Sequence, residues 1–214
     1  MNFSENKEIM GFETFLFDWD GCLAKTLQNW LDTYRFIYKK YGVYTKDEDI
    51  LHNSWGNLAK GPEYFGIKNY DEVWAEIVIM VAEKNKNVAL YENVTTLLET
   101  LRNAGKKLAI VTSSEMKIVK PAIEYNKLVG FENNIFTEEM VSQPKPDPEI
   151  VNLAVEKLNG KKETTIIIGD TAKDILAGKA AGIKTVLVSH PENGLFYDLE
   201  KMKECGPDFV VEGF

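Results

Sequence analysis

The chain has 214 residues, 44% hydrophobic and 27% charged, the make-up of a soluble globular protein with one sizeable domain or one domain carrying a modest insertion. Its formal charge of −8 argues against nucleic acid as the main partner, because surfaces that bind phosphodiester backbones are basic, yet it leaves room for a small phosphate ester. No apolar run approaches the roughly 20 residues needed to span a bilayer, and the first residues hold no signal-peptide core, so a cytoplasmic protein with no membrane partner is expected.

Met1 to Gly11 is polar and reads as a frayed end or short lead-in. Apolar Phe12, Phe15, Leu16 and Phe17 then suggest a short strand buried on both faces, as in a parallel sheet covered by helices. Leu27, Trp30, Leu31, Tyr34, Ile37, Tyr38 and Tyr41 recur at helical spacing, and Gly42 offers a stop, so an amphipathic helix is predicted over 26–41. Further helical segments run from near Lys46 into the His52-Asn53-Ser54-Trp55-Gly56 stretch and from Asp71 to Lys86, with no convincing strand between 26 and 91. From Glu92 the pattern alternates. A helix through Val94, Leu97, Leu98 and Leu101 closes at Gly105, and Lys106 to Val111 forms a buried strand ending at Thr112-Ser113-Ser114. A helix over 115–126 and a weaker strand near 134–137 follow. Gln143-Pro144-Lys145-Pro146-Asp147-Pro148 is a stiff loop in which Asp147 can cap a helix with Pro148 at its first position. Thr164 to Ile168 is a β-branched strand leading to Gly169-Asp170-Thr171-Ala172-Lys173-Asp174. A helix to Ala181, a strand over 184–189 and a short last strand over 208–211 complete the chain. The fold class implied is α/β, a mostly parallel Rossmann-like sheet with helices on both sides. Residues 1–25 and 92–214 form the core, and an all-helical insert over 26–91 forms a lid.

In such sheets ligands bind outside the carboxyl ends of strands, where Asp18/Asp20, Thr112/Ser113 and Asp170/Asp174 fall. Two like charges at ~4 Å repel by on the order of 4 kcal/mol at an effective dielectric near 20, so the carboxylates need a cation or a shared proton. Each signal alone has a plainer reading. Asp-x-Asp-Gly can be an Asp-Gly turn, Asp170 a helix cap, Asp174 a solvated first-turn acid, Thr112 a strand-end cap and Lys145 an exposed loop lysine. Together they supply what phosphoryl transfer needs. Asp18 is the candidate nucleophile and Asp20 the acid and base. Trp19, Asp20, Thr112, Ser113 and Lys145 are candidates to bind the phosphate. A hard divalent cation, best Mg²⁺, would sit among the carboxylates, including Asp170 and Asp174.

The stretch Asp18-Trp19-Asp20-Gly21-Cys22-Leu23 resembles the first signature, D-x-D-G-x-L, of the haloacid dehalogenase superfamily. The likeness continues at Thr112, at Lys145 in Lys-Pro-Asp-Pro, and at Gly169 to Asp174, which matches G-D-x-x-x-D. It covers roughly 12–25 and 92–212, while the insert matches in position and helical character. The resemblance implies a Mg²⁺-dependent phosphatase of the phosphoglycolate phosphatase and β-phosphoglucomutase kind, with a helical cap placed after the first signature. It further implies that Asp18 and Asp170 ligate Mg²⁺ by side chain, Asp20 by its backbone carbonyl, and Asp174 directly or through water. Where relatives commonly carry Asp-Ser or Asp-Thr, this chain has Lys25-Thr26 at the hinge into the cap.

A dehalogenase of this superfamily attacks carbon and needs neither Asp20 nor Asp170/Asp174. A phosphonate hydrolase would carry a Schiff-base lysine in the cap; Lys60 is available, but nothing marks it as buried or activated. A sugar phosphomutase shares every core residue and stays open, whereas intact chemistry opposes a catalytically silent binding module. His52, Trp55 and Lys60 are specificity candidates; His190 reads as an ordinary loop histidine and Cys22 as a small residue in a tight turn. Monomer and homodimer are both compatible with the sequence.

Overall fold

The structure, a computed structural model, describes residues 3–54 and 61–214. Among these, ten α-helices surround six strands: α1 Lys7–Gly11, β1 Thr14–Phe17, α2 Leu27–Lys40, α3 Asp47–Asn53, α4 Gly61–Tyr64, α5 Tyr70–Asn85, α6 Val94–Asn103, β2 Lys107–Thr112, α7 Met116–Tyr125, β3 Ile135–Thr137, α8 Glu149–Lys157, β4 Thr165–Gly169, α9 Ala172–Ala181, β5 Lys184–Val188, α10 Leu199–Lys203 and β6 Phe209–Val211. The strands pair in the order β3-β2-β1-β4-β5-β6, parallel throughout. The chain builds one half of the sheet outward from β1 and then returns to β4 on its other side. The switch point therefore lies between β1 and β4, where Phe17 stands beside Ile168.

Both faces of the sheet are covered, as the uninterrupted apolar runs require. Phe15, Phe17, Leu108, Ile110, Ile166 and Ile168 belong to one core, and Leu16, Ala109, Val111 and Ile167 to the other, the alternation expected of strands with period two. The first core continues into the inserted helices, where α2 packs on α5 and α5 on α7. Trp30 stacks on Trp74 with centroids 6.3 Å apart, and Tyr34 and Tyr38 continue the aromatic row. The two passages between insert and sheet run side by side. Lys25 N–H donates to Ala89 O at 2.9 Å, and Tyr91 N–H to Leu23 O at 3.0 Å.

The N-terminal segment differs from its reading as a frayed lead-in. Asn6 caps α1 by accepting from the Glu8 and Ile9 amides, and Phe3 and Ile9 are fully buried, Phe3 against Phe214 at 5.5 Å. Helix α8 begins one residue later than expected, at Glu149, whose amide is held by Asp147 Oδ1 at 2.9 Å. His190 is no ordinary loop histidine: it is buried, stacks on Tyr91 at 3.6 Å, and donates from Nε2 to Cys22 O at 2.9 Å. No helix among the described residues is long and apolar enough to cross a membrane.

Candidate active site

Asp18 follows β1 directly, and its amide extends the ladder by donating to Ile168 O at 2.8 Å, so the carboxylate is aimed by the sheet itself. Asp170 follows β4, the neighbouring strand. Asp174 sits in the first turn of α9, where Oδ2 accepts from the amide and hydroxyl of Thr171 at 3.2 and 2.7 Å. Thr171, rather than Asp170, is thus the N-cap, and Asp174 is buried rather than solvated. One oxygen from each of Asp18, Asp170 and Asp174 lies within 4.8 Å of the others. Backbone shape permits this approach. Gly21, at φ +73°, passes so close to Asp170 that a Cβ there would stand 2.1 Å from Oδ2, and one on Gly169 would stand 2.3 Å from the Asp174 side chain.

Lys145 enters from the proline-rich loop. Its ammonium donates to Asp18 Oδ1 at 2.7 Å, Asp174 Oδ1 at 2.6 Å and Val111 O at 3.1 Å, so all three N–H donors are taken by protein acceptors. The loop is fixed in turn by Glu149, whose carboxylate accepts from Ser142 and Gln143. Burial pushes the Asp18 carboxyl up to about 7 and is only partly offset by Lys145, while Asp174 and Asp20 push it further. Burial, with Asp18 and Asp174, also holds Asp170 well above the usual carboxylate range. For Lys145, burial opposes the charge, but attraction to Asp174 and Asp18 prevails and keeps it protonated.

Asp20 points away from this cluster. Its Oδ1 accepts from Trp30 Nε1 on α2 at 2.9 Å and its Oδ2 from Ser114 Oγ at 2.5 Å. Thr112 is buried at the end of β2, its oxygen accepting from the Ser114 amide at 3.0 Å. A cavity of about 420 Å³ joins these groups, lined by Asp18, Asp20, Trp30, Thr112, Ser113, Lys145, Asp170 and Asp174, with Glu115, Glu138, Glu139 and Lys173 toward the remaining walls. Burial pulls the Lys173 ammonium down and pushes the Glu138 carboxyl up.

The sequence candidates Asp18, Asp20, Thr112, Ser113, Lys145, Asp170 and Asp174 are therefore brought to one cavity. Trp19 is not: its indole is fully buried and absent from the lining, so only its backbone amide could meet a ligand. His52 is exposed on α3 and does not line the cavity, while Trp55 and Lys60 lie outside the described residues. Ser114, Trp30, Lys173 and Tyr197 were missed. Trp30 read as one more apolar position of a helix, and nothing local marks Tyr197, whose hydroxyl donates to Asp170 Oδ2.

The sequence profile described as Haloacid dehalogenase-like hydrolase matches residues 15–188. The chain belongs to that family. It is a hydrolase, and its parallel sheet with inserted helices is the family's fold. It is 32% identical to pyrophosphatase PpaX of Halalkalibacterium halodurans, covering 94% of this chain and 93% of that one. It is 33% identical to pyrophosphatase PpaX of Anoxybacillus flavithermus, covering 95% and 94%. Among solved structures, CbbY from Rhodobacter sphaeroides in complex with phosphate aligns with a TM-score of 0.77 at 19% identity, over 94% of each chain. A hydrolase from Pseudomonas syringae aligns with a TM-score of 0.77 at 23% identity, again over 94% of each chain.

The acidic cluster fits a divalent metal ion. With all groups ionised, three carboxylates against one ammonium leave a charge of −2 in a buried space, and Asp170 Oδ1 is buried without a hydrogen-bond partner.

Proposed function

We propose that this hydrolase is a Mg²⁺-dependent phosphatase that cleaves a small phosphate compound through an aspartyl-phosphate on Asp18, with inorganic pyrophosphate the first substrate to examine. The reading rests on one observation above all: the Lys145 ammonium bonded to both Asp18 and Asp174, with Asp170 beside them, at the floor of a cavity that Asp20 also lines. Residues 26–91 act as a cap domain over a core formed by 1–25 and 92–214.

Asp18 and Asp170 would hold Mg²⁺ by their carboxylates and Asp20 by its backbone carbonyl. Asp174, whose two oxygens already accept from Lys145 and Thr171, would reach it through water. When bound, the ion would neutralise the carboxylates and polarise the transferring phosphoryl group. An Asp18 oxygen attacks phosphorus while the bond to the leaving oxygen breaks, and Asp20 delivers a proton to that oxygen. Asp20, now a carboxylate, takes a proton from water. The hydroxide so formed displaces Asp18 from phosphorus, releasing phosphate and restoring both residues. Lys145 screens the nucleophile until phosphate arrives, and its longest bond, to Val111 O, is the one a phosphate oxygen replaces. Thr112 can donate its hydroxyl to a second phosphoryl oxygen.

The pyrophosphate assignment draws on the names of the relatives at 32% and 33% identity. It also draws on Lys173, the one lining cation besides Lys145 among the described residues, which would meet an anionic leaving group. Phosphate release from pyrophosphate, phosphoglycolate, sugar phosphates and nucleotides, with Mg²⁺ and with EDTA, tests the proposal. Turnover should require Mg²⁺, and Asp18→Asn should lower it by about a thousandfold or more with the fold retained. Undiminished turnover in EDTA, or in that variant, would overturn the metal or the nucleophile assignment respectively.

A further inference from the structure

A chain of buried polar groups stands behind Asp170. The Tyr91 hydroxyl donates to Asn193 Oδ1 at 2.5 Å, and Asn193 Nδ2 donates to the Tyr197 hydroxyl and to Gly21 O, each at 2.8 Å. The Tyr197 hydroxyl donates to Asp170 Oδ2. The direction of every bond is forced once Asp170 is ionised, the state in which it can hold a metal. Gly21 O can only accept, which fixes the amide face of Asn193 and leaves its oxygen for Tyr91. Tyr197 accepts from Asn193 and has one proton to give, and Asp170 is where it goes.

The consequence falls on the other oxygen. With Oδ2 committed to Tyr197 and pressed by Gly21, the Asp170 carboxylate cannot turn. Its Oδ1, buried and unpartnered, is left as the oxygen available within the cluster of Asp18 and Asp174. We propose that Tyr197 is the positioning residue of the metal centre, its hydroxyl setting the Asp170 carboxylate so that Oδ1 is presented to Mg²⁺, with Asn193 and Tyr91 holding Tyr197 in place. Groups that orient a ligand in this way commonly change metal affinity by 10–100-fold when removed. The network also meets both passages into the cap, through Gly21 on one and Tyr91 on the other, so the ligand is braced against the hinge. The inference rests on the Mg²⁺ reading above, and its test separates the two.

Mg²⁺ binding to the full chain is measured by titration calorimetry without substrate, for the parent, Tyr197→Phe and Tyr91→Phe. Tyr197→Phe should weaken Mg²⁺ binding by about 10-fold or more, with the circular dichroism spectrum unchanged. Its melting temperature in EDTA should fall no further than that of Tyr91→Phe, which is expected to weaken Mg²⁺ a few-fold. Equal Mg²⁺ affinity in parent and Tyr197→Phe overturns the assignment. If Tyr197→Phe does not fold, Tyr91→Phe decides, and an affinity matching the parent overturns it. A parent that does not bind Mg²⁺ overturns the metal reading itself.

Discussion

Lys145 is 4% exposed and meets three acceptors, two of them buried carboxylates that would otherwise face each other without a cation between them. Removing one partner of a buried pair strands the remaining charge, which is why such losses run to about 3–5 kcal/mol where exposed pairs such as Lys25–Glu192 contribute little. Lys145→Ala should therefore lower the unfolding free energy in EDTA by roughly that amount, measured by denaturant titration, with saturating Mg²⁺ restoring part of it. Turnover should drop by about 10²–10³-fold, the range for removing one preorganised electrostatic group. A variant as stable as the parent in EDTA would show that Asp18 takes up a proton instead of remaining a stranded charge. The sequence pointed to this lysine through the prolines around it. That its ammonium is saturated by protein acceptors is visible only in the folded arrangement.

Among the described residues, one side-chain hydrogen bond runs from the cap to the proposed acid: Trp30 Nε1 on α2 donates to Asp20 Oδ1, opposite Ser114 Oγ, which donates to Oδ2. Trp30 is itself fixed by stacking on Trp74, whose Nε1 donates to Glu115 Oε1 at 3.2 Å, so α2, α5 and the start of α7 are joined at the mouth of the cavity. Trp30→Phe keeps an aromatic ring at the position and removes the donor. If α2 positions the acid, kcat for an alkyl phosphate should fall about tenfold, a part of the 10²–10⁴ that general acid catalysis supplies. An aryl phosphate, whose leaving group needs no proton, should be hardly affected. Equal losses on both substrates would assign Trp30 to packing alone. What was legible in the sequence follows the same division. The sheet strands were predicted to within a residue or so because buried strands leave unbroken apolar runs, and Asp18, Thr112 and Asp170 stood out by ending those runs. Ser114, Trp30, Asn193 and Tyr197 act through partners 10 to 172 positions away, and no local pattern encodes such a meeting. Phe3 and Ile9 were hidden likewise, as two apolar residues in a polar segment whose partner Phe214 closes the chain.

For the molecule as a whole, the buried carboxylates make stability depend on pH and on metal together. Asp18 is raised from 3.8 to about 7 and Asp170 is raised well above 3.8, chiefly by burial, so the folded chain keeps protons that the unfolded chain has released. Their contribution is fully present below the ordinary carboxylate range; that of Asp18 is lost as pH rises through about 7, and that of Asp170 as pH rises through its own elevated pKa. His190 runs the other way: burial lowers it, so its contribution is present above its ordinary 6.5 and is lost as pH falls. Asp47, held down by Arg35, and Glu149, held down by Ser142 and Gln143, matter only in more acid solution. The absolute melting temperature therefore mixes opposed effects between pH 5 and 8, whereas the increment caused by Mg²⁺ isolates the carboxylates, because a metal binds them only without their protons. At a Mg²⁺ concentration of about 100 times Kd, linkage adds about 2.7 kcal/mol, or roughly 5–10 °C for a chain of this size. Thermal scans with Mg²⁺ and with EDTA should show a larger increment at pH 8 than at pH 5, since at pH 5 the ion must displace the protons on both Asp18 and Asp170. An increment of the same size at both pH values would place the ion away from these two residues and leave their shared burial without a cation to balance it.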